Sequence, residues 1–231
     1  MSAWYTPGDL TALSLSFKLA AATSAILLVV ATPIALWLSV SRSRFAPWVE
    51  SLVTLPVVLP PTVLGFYLLC VLGPDGFIGQ AMAALGLSPW AFRFEGILLA
   101  SVVYSLPFVV QPLQNAFRAV GSGLLEAAST LRASPVDTFF SVVAPLSARA
   151  FLSGAVLAFA HTLGEFGVIL LVGGNIPGRT QTASLAIFSH VEAMDYAAAH
   201  RLSATLVFCC FTLLAGVYLI NRRVPTAEVV P

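Results

Sequence analysis

Charge is what this sequence has least of. Of its 231 residues only 9% are Asp, Glu, Lys or Arg, where an ordinary soluble domain carries roughly 25%. With 58% hydrophobic residues and so few charges, the chain has too little polar surface to wrap its apolar content in water. The deficit assigns it to a membrane. The net charge is +1, and there is no basic patch from which counterions would be displaced, so nucleic acid is excluded as a partner. Lysine occurs once, at Lys18, and no glycine-rich stretch runs into Gly-Lys-Ser/Thr. The chain therefore lacks a P-loop, and any ATP used by a machine containing it is hydrolysed by another subunit. No Gly-x-Ser-x-Gly elbow, His-Glu-x-x-His helix or intramembrane Asp pair occurs, which argues against catalysis in this chain. Cysteine is scarce too. Cys70, Cys209 and Cys210 lie in apolar runs without metal-like spacing and read as small buried hydrophobes. The apolar stretch after Lys18 is too long for the h-region of a signal peptide, so none is expected.

What is present is a series of apolar runs. A membrane span needs about 20 mostly apolar residues, and windows free of Asp, Glu, Lys and Arg at 19–41, 51–74, 96–117, 150–172 (interrupted by Glu165) and 202–221 predict spans at about 13–41, 49–72, 96–118, 147–172 and 200–221. The expected fold class is thus an all-α integral membrane protein of five transmembrane helices, one permease-like domain over 1–231. Arginine placement sets the orientation. With the 120–146 insert in the cytoplasm, Arg42, Arg44, Arg118, Arg132, Arg149, Arg222 and Arg223 also lie inside, leaving Arg93, Arg179 and Arg201 outside and Lys18 near the outer end of the first span. The positive-inside rule then selects an outer N-terminus and a cytoplasmic C-terminus. Outside, 73–95 reads as turn, short interfacial helix and turn. Residues 173–200 read as a break followed by an amphipathic helix with Leu185, Phe188, Val191 and Met194 on its apolar face.

The insert is the longest polar-containing stretch between apolar segments. Leu124, Leu125, Ala128 and Leu131 fall three and four apart, which predicts a short helix with one face to bury. Ser134 before Pro135 predicts the cap of a second helix with Pro at its first position. A helical hairpin of this kind suits docking to a soluble partner; an ordinary interhelical loop is the plainer alternative.

Two places inside the spans stand out. Pro60-Pro61 cannot complete a helical hydrogen-bond ladder, so the freed carbonyls must face protein or a water-filled path, with Gly65 a turn later. Either a kinked path-lining helix or a packing kink satisfies this. Glu165 lies some 15 residues into the fourth span, roughly 22 Å deep at 1.5 Å per residue, and an ionisable group there is a functional candidate. His161 stands four residues earlier, so an intrahelical pair is expected to be available. Repulsion argues against Glu165 holding an anion, and a structural or gating hydrogen bond suits it better. Metal binding needs at least one ligand more, from His190 or His200, and no metal site is expected.

These stretches resemble a known family. Glu126-Ala127-Ala128, closed by Pro145-Leu146, resembles the EAA loop of the permease subunits of bacterial binding-protein-dependent ABC importers, departing from it at Arg132, where Gly is usual and would permit a sharp turn. Leu55-Pro56-Val57-Val58-Leu59-Pro60-Pro61-Thr62-Val63-Leu64-Gly65, Leu163-Gly164-Glu165-Phe166-Gly167 and Asn175-Ile176-Pro177-Gly178-Arg179-Thr180-Gln181-Thr182 are similar to molybdate permeases, the ModB family. The Gly-Glu-Phe-Gly block is shared with sulfate permeases, so it does not choose the oxyanion. Many relatives carry Arg where His161 stands. The resemblance implies a type I ABC importer permease in the bacterial cytoplasmic membrane. It would work as a homodimer on two ATPase subunits, which bind the ATP and Mg, and be loaded by an extracytoplasmic molybdate-binding protein. It further implies that Glu126, Ala127, Ala128, Leu131, Arg132, Ser134 and Pro135 couple to the ATPase. Pro60, Pro61, Gly65, Gly164, Glu165 and Gly167 would line or gate the path. Sulfate or tungstate as cargo, and a transporter working alone, are the alternatives.

Overall fold

The computed structural model describes residues 4–223, with the backbone alone for Ser122 and 220–223, so the side chains of Arg222 and Arg223 lie outside the described residues. Its regular structure is helical. Helix α1 runs Pro7–Val40, earlier than the Leu13 start expected. A capping box fixes its beginning: Thr6 Oγ1 accepts from Asp9 N at 3.1 Å, Asp9 Oδ2 accepts from Thr6 N at 3.0 Å, and Pro7 occupies the first turn. The signal, Thr-Pro-Gly-Asp, was in the sequence. At 34 residues α1 is about 50 Å long, well beyond the ~30 Å of a hydrocarbon core.

The segments expected as single spans are mostly two rods. The 49–72 segment is α2 (Ala46–Val58) and α3 (Pro61–Leu72), separated by extended backbone at Leu59 and Pro60. Neither proline has an N–H to continue the ladder. Helix α4 (Phe77–Ala84) follows. The 96–118 segment is α5 (Phe94–Ser105) and α6 (Pro107–Ala119), meeting at 40° at Pro107. The insert itself is α7 (Ser122–Thr130), α8 (Pro135–Thr138), a π-turn over Phe139–Val143 and α9 (Ala144–Leu146). Pro145 offers no N–H, and the turn before it widens so that Ala144 N–H reaches Phe139 O. A 72° bend at Ser147 then leads into α10 (Ala148–Gly164), and a second break into α11 (Gly167–Gly173). Helices α12 (Ala183–Glu192) and α13 (Tyr196–Arg223) complete the described residues.

By length and apolarity, Pro7–Val40, Pro61–Ala84 and Tyr196–Leu219 can each cross a membrane; counting each bent pair as one span raises the number among the described residues from three to as many as five. The chain is multi-pass.

Helix α1 is the central post. Leu27, Ala31, Ala35 and Leu38 on one of its faces pack with Val109, Val110, Leu113 and Phe117 of α6 and Ala158 of α10, small residues letting the backbones approach. A second cluster joins Leu19 to Leu72, Ile97, Val168, Ile169 and Val172, and a third joins Ala12 and Leu13 to α12 and α13 through Ala183, Ala186 and Leu202. Beside the third, His190 Nε2 and buried Asp9 Oδ1 lie 2.8 Å apart, and Ala183 N donates to Ser16 Oγ at 2.7 Å. At the insert end, buried Gln114 donates to Glu50 Oε1 at 3.1 Å and Arg118 to Leu38 O at 3.4 Å, tying α6 to α2 and α1.

Two expectations are corrected. Cys70 lies on the outward side of α3 and is exposed, and Cys209 and Cys210 are only half-buried because α13, which carries them, is packed on one narrow side; Val207, Phe208, Phe211 and Tyr218 all face outward. Of the apolar face expected in 173–200, α12 carries Leu185, which is buried, and Phe188 and Val191, which point out of the bundle as an interfacial helix requires, while Met194 lies beyond the helix. Helix α12 ends at Glu192 and Met194 turns with φ 59°, so the face does not extend that far.

Candidate functional site

The insert is built around a main-chain turn. Helix α7 ends at Thr130, and Arg132 takes φ 58°. Arg132 N donates to Ser129 O at 3.0 Å and Ala133 N to Ala128 O at 3.1 Å. This pair of bonds is a Schellman closure, with Arg132 where a glycine would sit without strain. The chain makes the sharp turn regardless. Ser134 Oγ then accepts from Asp137 N at 3.1 Å with Pro135 in the first turn of α8, the expected cap. Of the face expected to bury, only Ala128 and, partly, Leu125 turn inward, toward the ends of α1 and α6. Leu124 is half-exposed and Leu131 is 83% exposed, because Leu131 already lies in the turn beyond a nine-residue helix. Glu126 and Ala127 face solvent, and Val136 and Phe140 are exposed bulky apolar side chains like Leu131.

The second site is a cavity of about 630 Å³ where the breaks of two rod pairs meet. Pro61 and Thr62 open α3 on one wall; His161, Gly164, Glu165 and Gly167 span the α10–α11 break on another, with Tyr104 of α5 between. Pro61, Gly164, Glu165 and Gly167 are thus brought together, while Pro60 stands in the α2–α3 break and Gly65 one turn into α3. A Cβ at Gly65 would come within 3.1 Å of Leu171 Cβ and Val168 Cα, and one at Gly167 within 3.0 Å of Pro61 Cβ. Both glycines let α3 and α11 touch. Gly164 has open space around it.

Glu165 is buried, at 4% exposure, and its carboxyl faces the Ser101 hydroxyl of α5. The pair with His161 is absent. Helix α10 stops at Gly164, Glu165 adopts extended backbone (φ −65°, ψ 132°), and its N–H turns back to Thr162 O at 3.3 Å. An i, i+4 pair requires the helix to continue, and it does not. His161 instead places Nδ1 2.9 Å from Ser105 Oγ, with its ring 4.7 Å from Tyr104 and 4.3 Å from Phe108. Ser184 Oγ donates to the Glu165 carbonyl at 2.6 Å, fastening α12 to the break. His190, weighed as a further metal ligand, is bound to Asp9. Sequence reasoning missed Ser105, Tyr104 and Phe108, since nothing local in the sequence joins α5 and α6 to His161. The glycines flanking Glu165-Phe166 were the readable sign of the break.

Residues 31–225 match the family described as binding-protein-dependent transport system inner membrane component. The chain is 56% identical over 214 residues to the molybdenum transport system permease protein ModB of Azotobacter vinelandii, covering 93% of this chain and 95% of that one. It is 40% identical over 212 residues to the ModB protein of Mycobacterium tuberculosis (92% and 80% covered). To the sulfate transport system permease protein CysT of Salmonella typhimurium it is 33% identical over 174 residues (75% and 62%). Among solved structures, a bacterial ABC transporter involved in import of the acidic polysaccharide alginate superposes with TM-score 0.75 at 15% identity, covering 96% of this chain and 81% of that one; at that identity the likeness establishes the fold. The chain belongs to the binding-protein-dependent transport system inner membrane components, within the ModB family of permeases, and is a membrane transport component rather than a catalytic enzyme.

Proposed function

We propose that this chain is the permease subunit of an ATP-driven importer that carries molybdate across the bacterial cytoplasmic membrane by alternating access. The observation that carries the reading is the 56% identity, over nearly the whole of both chains, to a molybdenum transport permease; the sulfate permease is more distant at 33%. Two copies of the chain form the path, with five spans each, N-terminus outside and C-terminus in the cytoplasm. A binding protein delivers the oxyanion from outside. Two ATPase subunits, which hold the ATP and Mg, dock on the 120–146 insert. Exposed Leu131, Val136 and Phe140 on the same insert as Glu126 support that docking, since an apolar patch on a charged-solvent surface marks a protein contact.

Motion at the insert reaches the path through rods and joints. ATPase closure shifts α7–α9, which continue into α10 at the Ser147 bend. The breaks at Pro60-Pro61 and Glu165-Phe166 let the inner and outer halves of the path tilt separately around the shared cavity. Its lining holds no Lys or Arg, only His161 bound to Ser105 and the carboxyl of Glu165 among hydroxyls and apolar walls, so the cavity offers an anion no fixed cation, a surface to pass rather than to hold. The decisive experiment reconstitutes the chain in liposomes with its ATPase and binding protein and follows ATP hydrolysis. Stimulation by molybdate-loaded and not sulfate-loaded binding protein is expected. Stimulation by sulfate or tungstate alone would keep the machine and change the cargo, and uptake without any ATPase would overturn the importer assignment.

A further inference from the structure

Helix α11 walls the cavity with Gly167, Leu170 and Leu171, yet it is only seven residues long. A helix that short does not hold itself in place by its own ladder. One face is locked on α3, where Val168, Ile169 and Val172 share a cluster with Leu64, Leu68 and Leu72. Its two ends are closed by hydroxyls from further along the chain. Just before α11, the Glu165 carbonyl accepts from Ser184 Oγ at 2.6 Å. At its far end the Gly173 carbonyl accepts from Thr180 Oγ1, also at 2.6 Å. Carbonyls released at a helix end in apolar surroundings must find donors, and here one stretch, 180–184, supplies a donor to each end. The fit is close: a Cβ on Gly173 would come within 3.1 Å of Thr180 Cβ.

That stretch is braced into one block with the turn before it. Ile176 O accepts from the amides of Arg179, Thr180 and Gln181, and Ile176 N donates to Thr180 Oγ1 at 3.1 Å. Asn175 Nδ2 donates to Ser189 Oγ of α12 at 3.0 Å. Ala183 N bonded to Ser16 Oγ, and His190 against Asp9, join the block to α1. At its tip Pro177, Gly178 and Arg179 are exposed, and Arg179 is in no ion pair among the described residues. A load on this tip reaches the cavity wall without a loose joint in between.

We propose that the 174–182 turn is the handle through which the extracytoplasmic binding protein acts on the path wall, with Thr180 and Ser184 as the positioning residues that clasp α11 to it. The proposal rests on the importer reading above, which puts this turn outside the membrane. Arg179 suits a partner surface that presents carboxylates. Because α11 is packed on α3, the turn, α11 and α3 shift as one body when the binding protein seats.

The test uses the assembled importer in vesicles and follows ATP hydrolysis as molybdate-loaded binding protein is added, which gives a half-saturating concentration and a plateau. Thr180→Val and Ser184→Ala should each lower the plateau about fivefold, the net size of one hydrogen bond. The half-saturating concentration, and hydrolysis without binding protein, should stay as they were. Thr180→Ser keeps the hydroxyl and should keep the plateau. Arg179→Glu should do the reverse, raising the half-saturating concentration about fivefold with the plateau retained. A clasp of purely structural value would lower hydrolysis with and without binding protein together; that result, or an unchanged plateau in both clasp variants, overturns the proposal. Unaltered half-saturation in Arg179→Glu would remove the turn as the handle. Should Ser184→Ala fail to assemble, Thr180→Val, which preserves side-chain shape, decides. Absence of stimulation by any loaded binding protein in the unsubstituted importer would instead remove the importer reading itself.

Discussion

Arg132 holds a backbone conformation with φ 58° that costs a non-glycine residue about 1–2 kcal/mol. Its side chain is exposed, so what keeps it there is the pair of main-chain bonds closing α7. Arg132→Gly should therefore stabilise the purified protein, raising Tm by about 2–4 °C, with ATPase binding retained; a lower Tm would mean the guanidinium makes a contact that outweighs the strain. The departure at this residue was readable from the sequence, but its outcome was not, because a turn fixed by carbonyls and amides leaves little trace in side-chain identity. Glu165 shows the opposite limit. Its burial inside a span was readable from the apolar residues around it. Its facing Ser101 rather than His161 was not, since spacing arguments assume a regular helix through Gly164-Glu165-Phe166-Gly167.

At the scale of elements, breaks and caps were written more plainly than ends and faces. Pro60-Pro61 announces the α2–α3 joint, and Ser134-Pro135 announces the α8 cap. The face expected on 173–200 was overextended because apolar spacing alone does not say where a helix stops. The contacts between distant elements were invisible, as with Asp9 and His190, which lie 181 residues apart. His190→Ala should strand the buried Asp9 carboxyl and lower stability by about 1–3 kcal/mol, seen as a lower Tm; an unchanged Tm would make the contact incidental. On the insert, Glu126→Lys should leave the fold intact, because Glu126 faces solvent, yet weaken co-purification of the ATPase and reduce uptake. Unchanged co-purification and uptake would count against coupling through α7.

At the scale of the whole molecule, the sequence announced the all-helical membrane class through its charge deficit, while how helices share a core was left to packing. In native-like lipid, mass measurement of the assembled importer should find two copies of this chain with two ATPases; one copy per complex would exclude a path formed between copies. The sparse packing of α13 bears on how the protein is made. The two larger clusters, around Leu27 to Leu38 and around Leu19, contain no buried residue of α13. Among the described residues, all the buried side chains that close them precede Tyr196 in the chain, so both clusters can form before α13 is in place. The surface along α12 that receives α13 at Leu202 is in this sense independent of it.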